Sequence, residues 1–580
     1  MEYLLARINK LATWQVAIII AVVGFAVFFT GLASPFIYDD NPQIVNSPVV
    51  HSLSNIDLFF EGSTFYNGGG HAPLYGQYYR PLMTTVFSLL YSAFGLHTIP
   101  FHIFLLLLGI ANAILLYRFF KYSFNTVLAL VFALVFLVHP VNSQVLFSLP
   151  TMQDALFLFF GMLALLSLMR FRSVRSLVLA AVCIFLSLLA KETGILFVAM
   201  AALYLFWFDR KRLLPFVYVM TLPLVLYLVL KIHAVGLNER STIAAIDGLG
   251  LGGRLMTIPA IILFYITKFV FPLQLATGYY WVYPTFSFNH VLLPLVIDLA
   301  VISSAVYVAL VIQKRLTRAA FYSYLFFGAW AALGLLTHVQ IIPLDFTASE
   351  TWFYFPMVGV LGMLGVVLMV FQKHVRPSWI FIICVILITM LGSRTALRGL
   401  DWQSDYRLTV NDISVSKEHY TAYNAMAHLL LKQGKYTEAK AYAEHSVSLF
   451  PTCVNYDNLG VALTGMGDYS GAAKAINQGM RYGNIHNLYE DGAVLMLITE
   501  KSNLTRQLYL NALKVYPQDT LLWMYLAIFD DRLGDNADAQ IEITKAVSLD
   551  TGEVPQSIYE NIMGNRSFRL IVVNRIIQVN

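Results

Sequence analysis

Two carboxylates stand side by side in the segment Tyr38-Asp39-Asp40-Asn41-Pro42. Just upstream, Trp14 to Leu32 is an apolar run long enough to cross a bilayer. A carboxylate placed there can take a proton from an attacking hydroxyl. A pair can also hold Mg²⁺ or Mn²⁺ through oxygen ligands. Charge is costly inside the bilayer, so an acidic pair at its edge points to a polar site. The competing reading is a turn that stops the helix, because Asp, Asn and Pro all favour turns.

More polar residues fall at the ends of later apolar segments: Arg80, His139, Gln144, Asp154, Lys191, Glu192, His338 and Glu350. They carry both signs of charge and all map to the Asp39 face in the topology below. Such a set suits a cavity with acid, base and phosphate-binding groups. Lys191-Glu192 reads either as a structural ion pair or as a cation for a lipid phosphate. His139 taken alone reads as a buried, hydrogen-bonded histidine. Asp154 lies inside an apolar run, so it is expected to face the protein interior and to have a partner. The three cysteines, Cys183, Cys384 and Cys453, offer no disulfide framework and no zinc pattern.

The elements that position these groups follow from composition. Hydrophobic residues make up 58% of the chain and charged residues 12%, which excludes a soluble globular protein. The net charge of +5 is small for 580 residues and gives no basis for nucleic-acid binding. Apolar segments recur to about residue 391, and the basic residues collect in short loops between them. With residues 254 to 280 not crossing, Arg118 with Lys121, Arg170 with Arg172 and Arg175, Arg210-Lys211-Arg212, Lys314 with Arg315 and Arg318, and Lys373 with His374 and Arg376 all fall on the side of Arg7 and Lys10. The positive-inside rule makes that side cytoplasmic. The first apolar run lacks a small-residue cleavage site and reads as an uncleaved anchor. Ile56 to Phe60 is an amphipathic piece suited to the membrane surface, and Pro81 to Phe94 is apolar but short. Residues 254 to 280 read as a span, or as a re-entrant or interfacial helix broken at Pro272. If they do not cross, the chain makes about eleven spans, and the tail emerges on the Asp39 face; if they do cross, the basic loops after residue 280 fall on the opposite side.

The composition then changes. Gly434-Lys435-Tyr436 recurs 33 residues on as Gly467-Asp468-Tyr469, and Ala439 recurs as Ala472. Asn424 and Asn458 keep a similar spacing, Gly534 lies about three periods beyond Gly434, and Pro451 and Pro517 stand two periods apart. This is the pattern of tetratricopeptide repeats. The stretches 485 to 517 and 518 to 550 fit it more weakly, although Trp523, Tyr525, Leu526 and Ala527 suit a first helix. Such arrays form concave surfaces that commonly hold extended peptides; a spacer or a dimer contact is the plainer use. The expected fold is all-α: a polytopic membrane bundle over 1–400, then a tetratricopeptide-repeat solenoid over 401–580.

Tyr38-Asp39-Asp40-Asn41 with Ile44 and Asn46, Tyr79-Arg80-Pro81-Leu82, His139-Pro140-Val141, Ala190-Lys191-Glu192-Thr193-Gly194, Glu350 with Tyr354 and Pro356, and Asp401-Trp402 follow one another along the chain. In these segments the chain resembles the transmembrane and tetratricopeptide-repeat O-mannosyltransferases of the GT-C glycosyltransferase superfamily. The ordered set runs along nearly the whole chain. Three positions depart from the family pattern: Gln144 stands for a usual Glu, Met152 for an Arg, and Thr351 for an Arg.

The resemblance implies an inverting transferase that moves a sugar, mannose first, from a polyprenyl- or dolichyl-phosphate donor to a protein Ser or Thr hydroxyl. The expected base is Asp39, with Asp40 next. Arg80 and Lys191 are expected to bind the donor phosphate and neutralise its developing charge. His139, Gln144, Asp154, Glu192, Glu350 and Tyr354 are expected to position substrates. No metal is required, although Asp39 and Asp40 would be the ligands if one binds. Partners are the lipid donor, membrane lipids and an acceptor protein or peptide held by the repeats. The compact loops favour a bacterial plasma membrane over an endoplasmic reticulum, with site and repeats extracytoplasmic. Two alternatives are an oligosaccharide ligase and a non-enzymatic scaffold whose repeats recruit partners. A transporter fits less well, because the charges cluster on one face and not at mid-depth.

Overall fold

The structure is a computed structural model that describes residues 7–65, 78–236, 244–371, 377–483, 485–499, 503–550, 554–564, 566–572 and 575–579. The basic group Lys373, His374 and Arg376 lies outside the described residues. Two compact units divide at Ser416/Lys417. The first therefore runs past residue 400 to take in a short helix, Asp405–Val415, whose Leu408 joins the core of the first unit.

In chain order the first unit contains α1 (Thr13–Phe28), the single turn α2 (Leu58–Glu61), α3 (Pro81–Phe94), α4 (Thr98–Phe120), α5 (Thr126–Val138), α6 (Ser143–Phe147), α7 (Met152–Arg170), α8 (Val174–Ala190) and α9 (Ile195–Phe208). It continues through α10 (Leu213–Val235), α11 (Leu251–Val270), α12 (Leu293–Arg315), α13 (Arg318–Leu336), α14 (Tyr354–Phe371), α15 (Pro377–Arg398) and α16 (Asp405–Val415). Among the described residues, nine helical segments are long and apolar enough to cross a membrane. A tenth candidate is the pair Thr126–Val138 and Pro140–Phe147, bent by 51°. The bend falls where Pro140 cannot continue the helix. The count of about eleven includes the shorter α8 and α9 and sets α11 aside. α11 is one continuous helix of 20 residues that ends before Pro272, and by length and apolarity it qualifies as a span.

Burial orders these helices. The Leu149–Arg170 segment has 78% of its apolar window buried, against 17% for Phe288–Arg315, so α7 is central and α12 peripheral. Lipid is as apolar as leucine, so membrane helices associate largely through close packing at small residues. A Cβ at Gly362 of α14 would lie 2.1 Å from the Phe327 ring of α13, and one at Gly161 of α7 would lie 2.1 Å from the ring of Phe197. Trp330 is fully buried among Phe119, Phe197, Phe326 and Phe355, and its indole N–H donates to the Phe355 carbonyl at 2.9 Å.

The second unit contains four helix pairs: α17 (Tyr420–Lys432) with α18 (Tyr436–Leu449), α19 (Cys453–Met466) with α20 (Tyr469–Gly479), α21 (His486–Thr499) with α22 (Asn503–Val515), and α23 (Thr520–Leu533) with α24 (Asn536–Leu549). The two weaker repeats thus form the same unit as the two clear ones. The recurring glycines do the expected job. Gly434, Gly467 and Gly534 have φ of 71°, 84° and 85°, the left-handed conformation that ends a helix at low cost. Ala439 and Ala472 are fully buried where paired helices meet, and Asn458 donates to the Asn424 side chain at 2.8 Å, tying successive repeats. A helix α25 (Gln556–Met563) follows. The all-α chain ends in a short antiparallel hairpin, β1 (Phe568–Val572) with β2 (Arg575–Val579).

Candidate functional site

The adjacent carboxylates part company. Asp40 is buried, and its Oδ2 accepts the Ile37 N–H at 2.8 Å, closing the turn. It does the turn-forming work that Asp-Asn-Pro sequences favour. Asp39 is exposed, and its carboxylate accepts no hydrogen bond among the described residues. Loss of hydration to the surrounding protein raises its pKa, while the Arg80 charge pulls the other way. Just before the pair, Tyr38 has φ 48°. A side chain in this left-handed region costs about 1–2 kcal/mol. The conformation is held by Asp405 Oδ1, which accepts the Tyr38 N–H at 3.2 Å, and by a 2.7 Å hydrogen bond between Tyr38 Oη and Thr409 Oγ1.

Behind Asp39 lies a mixed-charge cluster. Arg80 precedes Pro81, the first residue of α3, and its guanidinium stacks 4.1 Å from the centre of the Tyr78 ring. It sits among the negative charges of Glu192, Asp154 and Asp39. Its nearest carboxylate contact is loose, Nε to Glu192 Oε2 at 4.0 Å, and Nε is buried without a hydrogen bond. Lys231 near the end of α10 stands at the same 4.0 Å from Glu192 Oε1. Lys191 differs: its Nζ is 2.6 Å from Asp154 Oδ1, and both side chains are buried. The Lys191-Glu192-Thr193-Gly194 segment turns sharply out of α8. A Cβ at Gly194 would strike the Ser187 backbone at 2.6 Å, so this close approach requires glycine. A cavity with room for about one water lies beside Lys191, lined by Asp154, Phe157, His338, Thr351 and Trp352 among others. His338 stacks on Trp352, and burial pushes its pKa down to about 3.

Glu350 belongs to a second network. Its Oε1 accepts the Ala276 N–H at 2.9 Å and the Tyr279 hydroxyl at 2.7 Å. The neighbouring Thr277 N–H donates to Asp412 Oδ1 at 3.2 Å, and Arg398 lies 3.8 Å from the same carboxylate. Gln144 donates to the Thr277 carbonyl at 3.3 Å. His139 is bound on both nitrogens by backbone: Nε2 lies 3.0 Å from the Phe269 carbonyl, and Nδ1 accepts the Val141 N–H at 3.3 Å. It caps the short turn after α5. Tyr354 is buried, and its hydroxyl accepts from Asn112 at 3.3 Å. Glu350, Gln144 and His139 thus brace loop segments, while Tyr354 ties α14 to α4.

Sequence reasoning missed Lys231, Tyr279, Arg398, Asp405, Thr409 and Asp412. Lys231 did leave a signal, a lone cation near the end of an apolar run that rises to the Lys191 face. The others act on segments remote in sequence. The three departures from the family pattern, Gln144, Met152 and Thr351, are all buried, so neutral residues there avoid the cost of desolvating a charge.

The Asp39–Asp40 pair does not fit a shared divalent ion, because one carboxylate is open and the other is inward and committed to Ile37. Among the described residues, the group whose ligand atoms lie within 4.8 Å of one another is His486, Glu490 and Asp519, in the repeat unit. There His486 pairs with Asp519, whose Oδ1 caps α23 by accepting the Leu522 N–H at 2.8 Å.

Residues 420–453 match the tetratricopeptide repeat family. The chain is also 24% identical over 155 residues to the Drosophila melanogaster protein named Protein O-mannosyl-transferase Tmtc3. The match takes in 26% of this chain and 17% of that protein, less than a fifth of its length. Over that part the chain is thus similar to a protein named as an O-mannosyl-transferase, and the chain itself combines many apolar helices with helical repeats.

Proposed function

We propose that the protein is a membrane glycosyltransferase that moves one sugar, mannose first, from a polyprenyl- or dolichyl-phosphate to a protein Ser or Thr hydroxyl. The observation that carries this reading is the open Asp39 carboxylate, free of hydrogen bonds among the described residues and electrostatically coupled to Arg80. Asp39 takes the proton from the acceptor hydroxyl as its oxygen attacks the anomeric carbon. The carbon–oxygen bond to phosphate breaks, and the lipid phosphate leaves on the opposite face with inversion. Cations neutralise the charge that develops on it. Arg80 fits that task. Lys231 fits it better than Lys191, because Lys191 is locked onto Asp154 while Arg80 and Lys231 each stand 4.0 Å from Glu192, a loose contact that an anion can replace. The repeats then hold an extended acceptor segment.

Donor binding and turnover test the cation assignment. Arg80→Ala and Lys231→Ala are each expected to weaken donor binding by about 1.5–3 kcal/mol, the usual value of a hydrogen bond to a charged group. Wild-type affinity for a polyprenyl-phosphate mannose in both variants would remove them from the phosphate site. Transfer of a preassembled lipid-linked glycan, with none of a single sugar, would point to an oligosaccharide ligase instead.

Site and repeats are proposed to be extracytoplasmic, in either a bacterial plasma membrane or an endoplasmic reticulum. A cysteine introduced at the exposed Glu444 is expected to react with an impermeant maleimide only from the extracytoplasmic side. Labelling only from the cytoplasmic side contradicts this topology.

A further inference from the structure

We propose that Tyr38 is a positioning residue: α16 clamps it in a left-handed conformation that turns Asp39 outward and Asp40 inward. The proposal rests on the reading of Asp39 as the base. Two non-glycine residues among those described have positive φ, Tyr38 and Gln340, and Tyr38 immediately precedes the acidic pair. Strained backbone persists only where its surroundings over-determine it, and such positions cluster at active sites. Here three contacts do so. Asp405 takes the backbone N–H and Thr409 the side-chain hydroxyl. The Tyr38 carbonyl accepts the Asn41 N–H at 3.2 Å. Asp405 and Thr409 are four residues apart on α16, so one helix face grips both ends of Tyr38.

The geometric consequence lies in the turn itself. The Asp40 N–H returns to the Ile37 carbonyl at 3.0 Å, and the Asp40 carboxylate returns to the Ile37 N–H. Asp40 is thereby tied back to the residue before Tyr38, and Asp39 is left at the open side of the turn. With Tyr38 in an ordinary right-handed or extended conformation, this closure and the outward direction of Asp39 do not hold together. Thr409 is fully buried, so solvent does not replace its hydroxyl as a partner.

Tyr38→Phe and Thr409→Val each delete the same hydrogen bond with little change in volume. In the full-length protein each is expected to lower kcat for sugar transfer about tenfold, with KM for the donor unchanged. The double variant is expected to match the single ones, because both substitutions remove one contact. The acid limb of the kcat profile, assigned to Asp39, is expected to move in both variants. A purely structural role would instead lower the melting temperature and leave kcat and the pH limb in place. Wild-type kcat in both variants overturns the proposal, as does full multiplication of the two losses in the double variant. Asp39→Asn is measured alongside: if it retains transfer, the reading of Asp39 as base fails. If it abolishes transfer while Tyr38→Phe and Thr409→Val do not, only the positioning role fails.

Discussion

Asp39→Asn is expected to lower sugar transfer by roughly 10²–10⁴-fold, the usual contribution of a positioned general base, with donor binding close to wild type. The amide keeps the size and nearly the shape of the carboxylate but cannot accept a proton at neutral pH. Asp40→Asn is the internal control. Its amide oxygen can still accept the Ile37 N–H that closes the turn, so transfer is expected to stay near wild type. The measurement is transfer to a Ser/Thr peptide by purified protein, with donor binding followed separately. Near-normal transfer by Asp39→Asn removes this group from the mechanism, and a large loss confined to Asp40→Asn reverses the assignment. A pH profile adds a second readout. The base works deprotonated, and loss of hydration raises the Asp39 pKa above the ordinary value of 3.8. Activity is therefore expected to fall as the pH drops through this raised value, and Asp39→Asn to lack that limb.

Lys191→Met is expected to destabilise the membrane unit by about 3–5 kcal/mol, the usual cost of breaking a buried ion pair from one side. The reason is the 2.6 Å pairing with Asp154 inside the bundle, where both side chains are nearly closed to solvent. Removing the ammonium leaves a carboxylate with no counter-charge in its immediate contact. Taking away both charges, as Lys191→Met with Asp154→Leu, is expected to recover most of the loss, since a buried pair contributes little over an apolar pair of similar volume. Melting of the detergent-solubilised protein measures both variants against wild type. A Lys191→Met protein that melts like wild type but loses donor binding returns Lys191 to the phosphate. Equal destabilisation by single and double variants points to packing of the lysine stem and not to charge.

Much of this protein is written locally in its sequence. Hydropathy alone marks the apolar helices, because a bilayer demands some twenty apolar residues per crossing whatever the neighbours are. The repeats are legible from Gly434 and Gly467, because a left-handed helix end suits glycine in any context. Asp154 announces a partner by its place in an apolar run, since a lone charge there is costly. The break at His139-Pro140 is equally local.

Direction and pairing are not local, and these the tertiary structure decided. Adjacency says nothing about which aspartate faces outward; Tyr38 settles it through Asp405 and Thr409, more than 360 residues away along the chain. Lys191 looked as available as Arg80 until α7 brought Asp154 against it, while Lys231 entered the cluster from α10. Glu350 found its partners in the loop after α11, itself tied to Asp412. A charge on a folded chain is free or spent according to which distant group reaches it first, and that depends on how helices pack, which residue type alone does not encode.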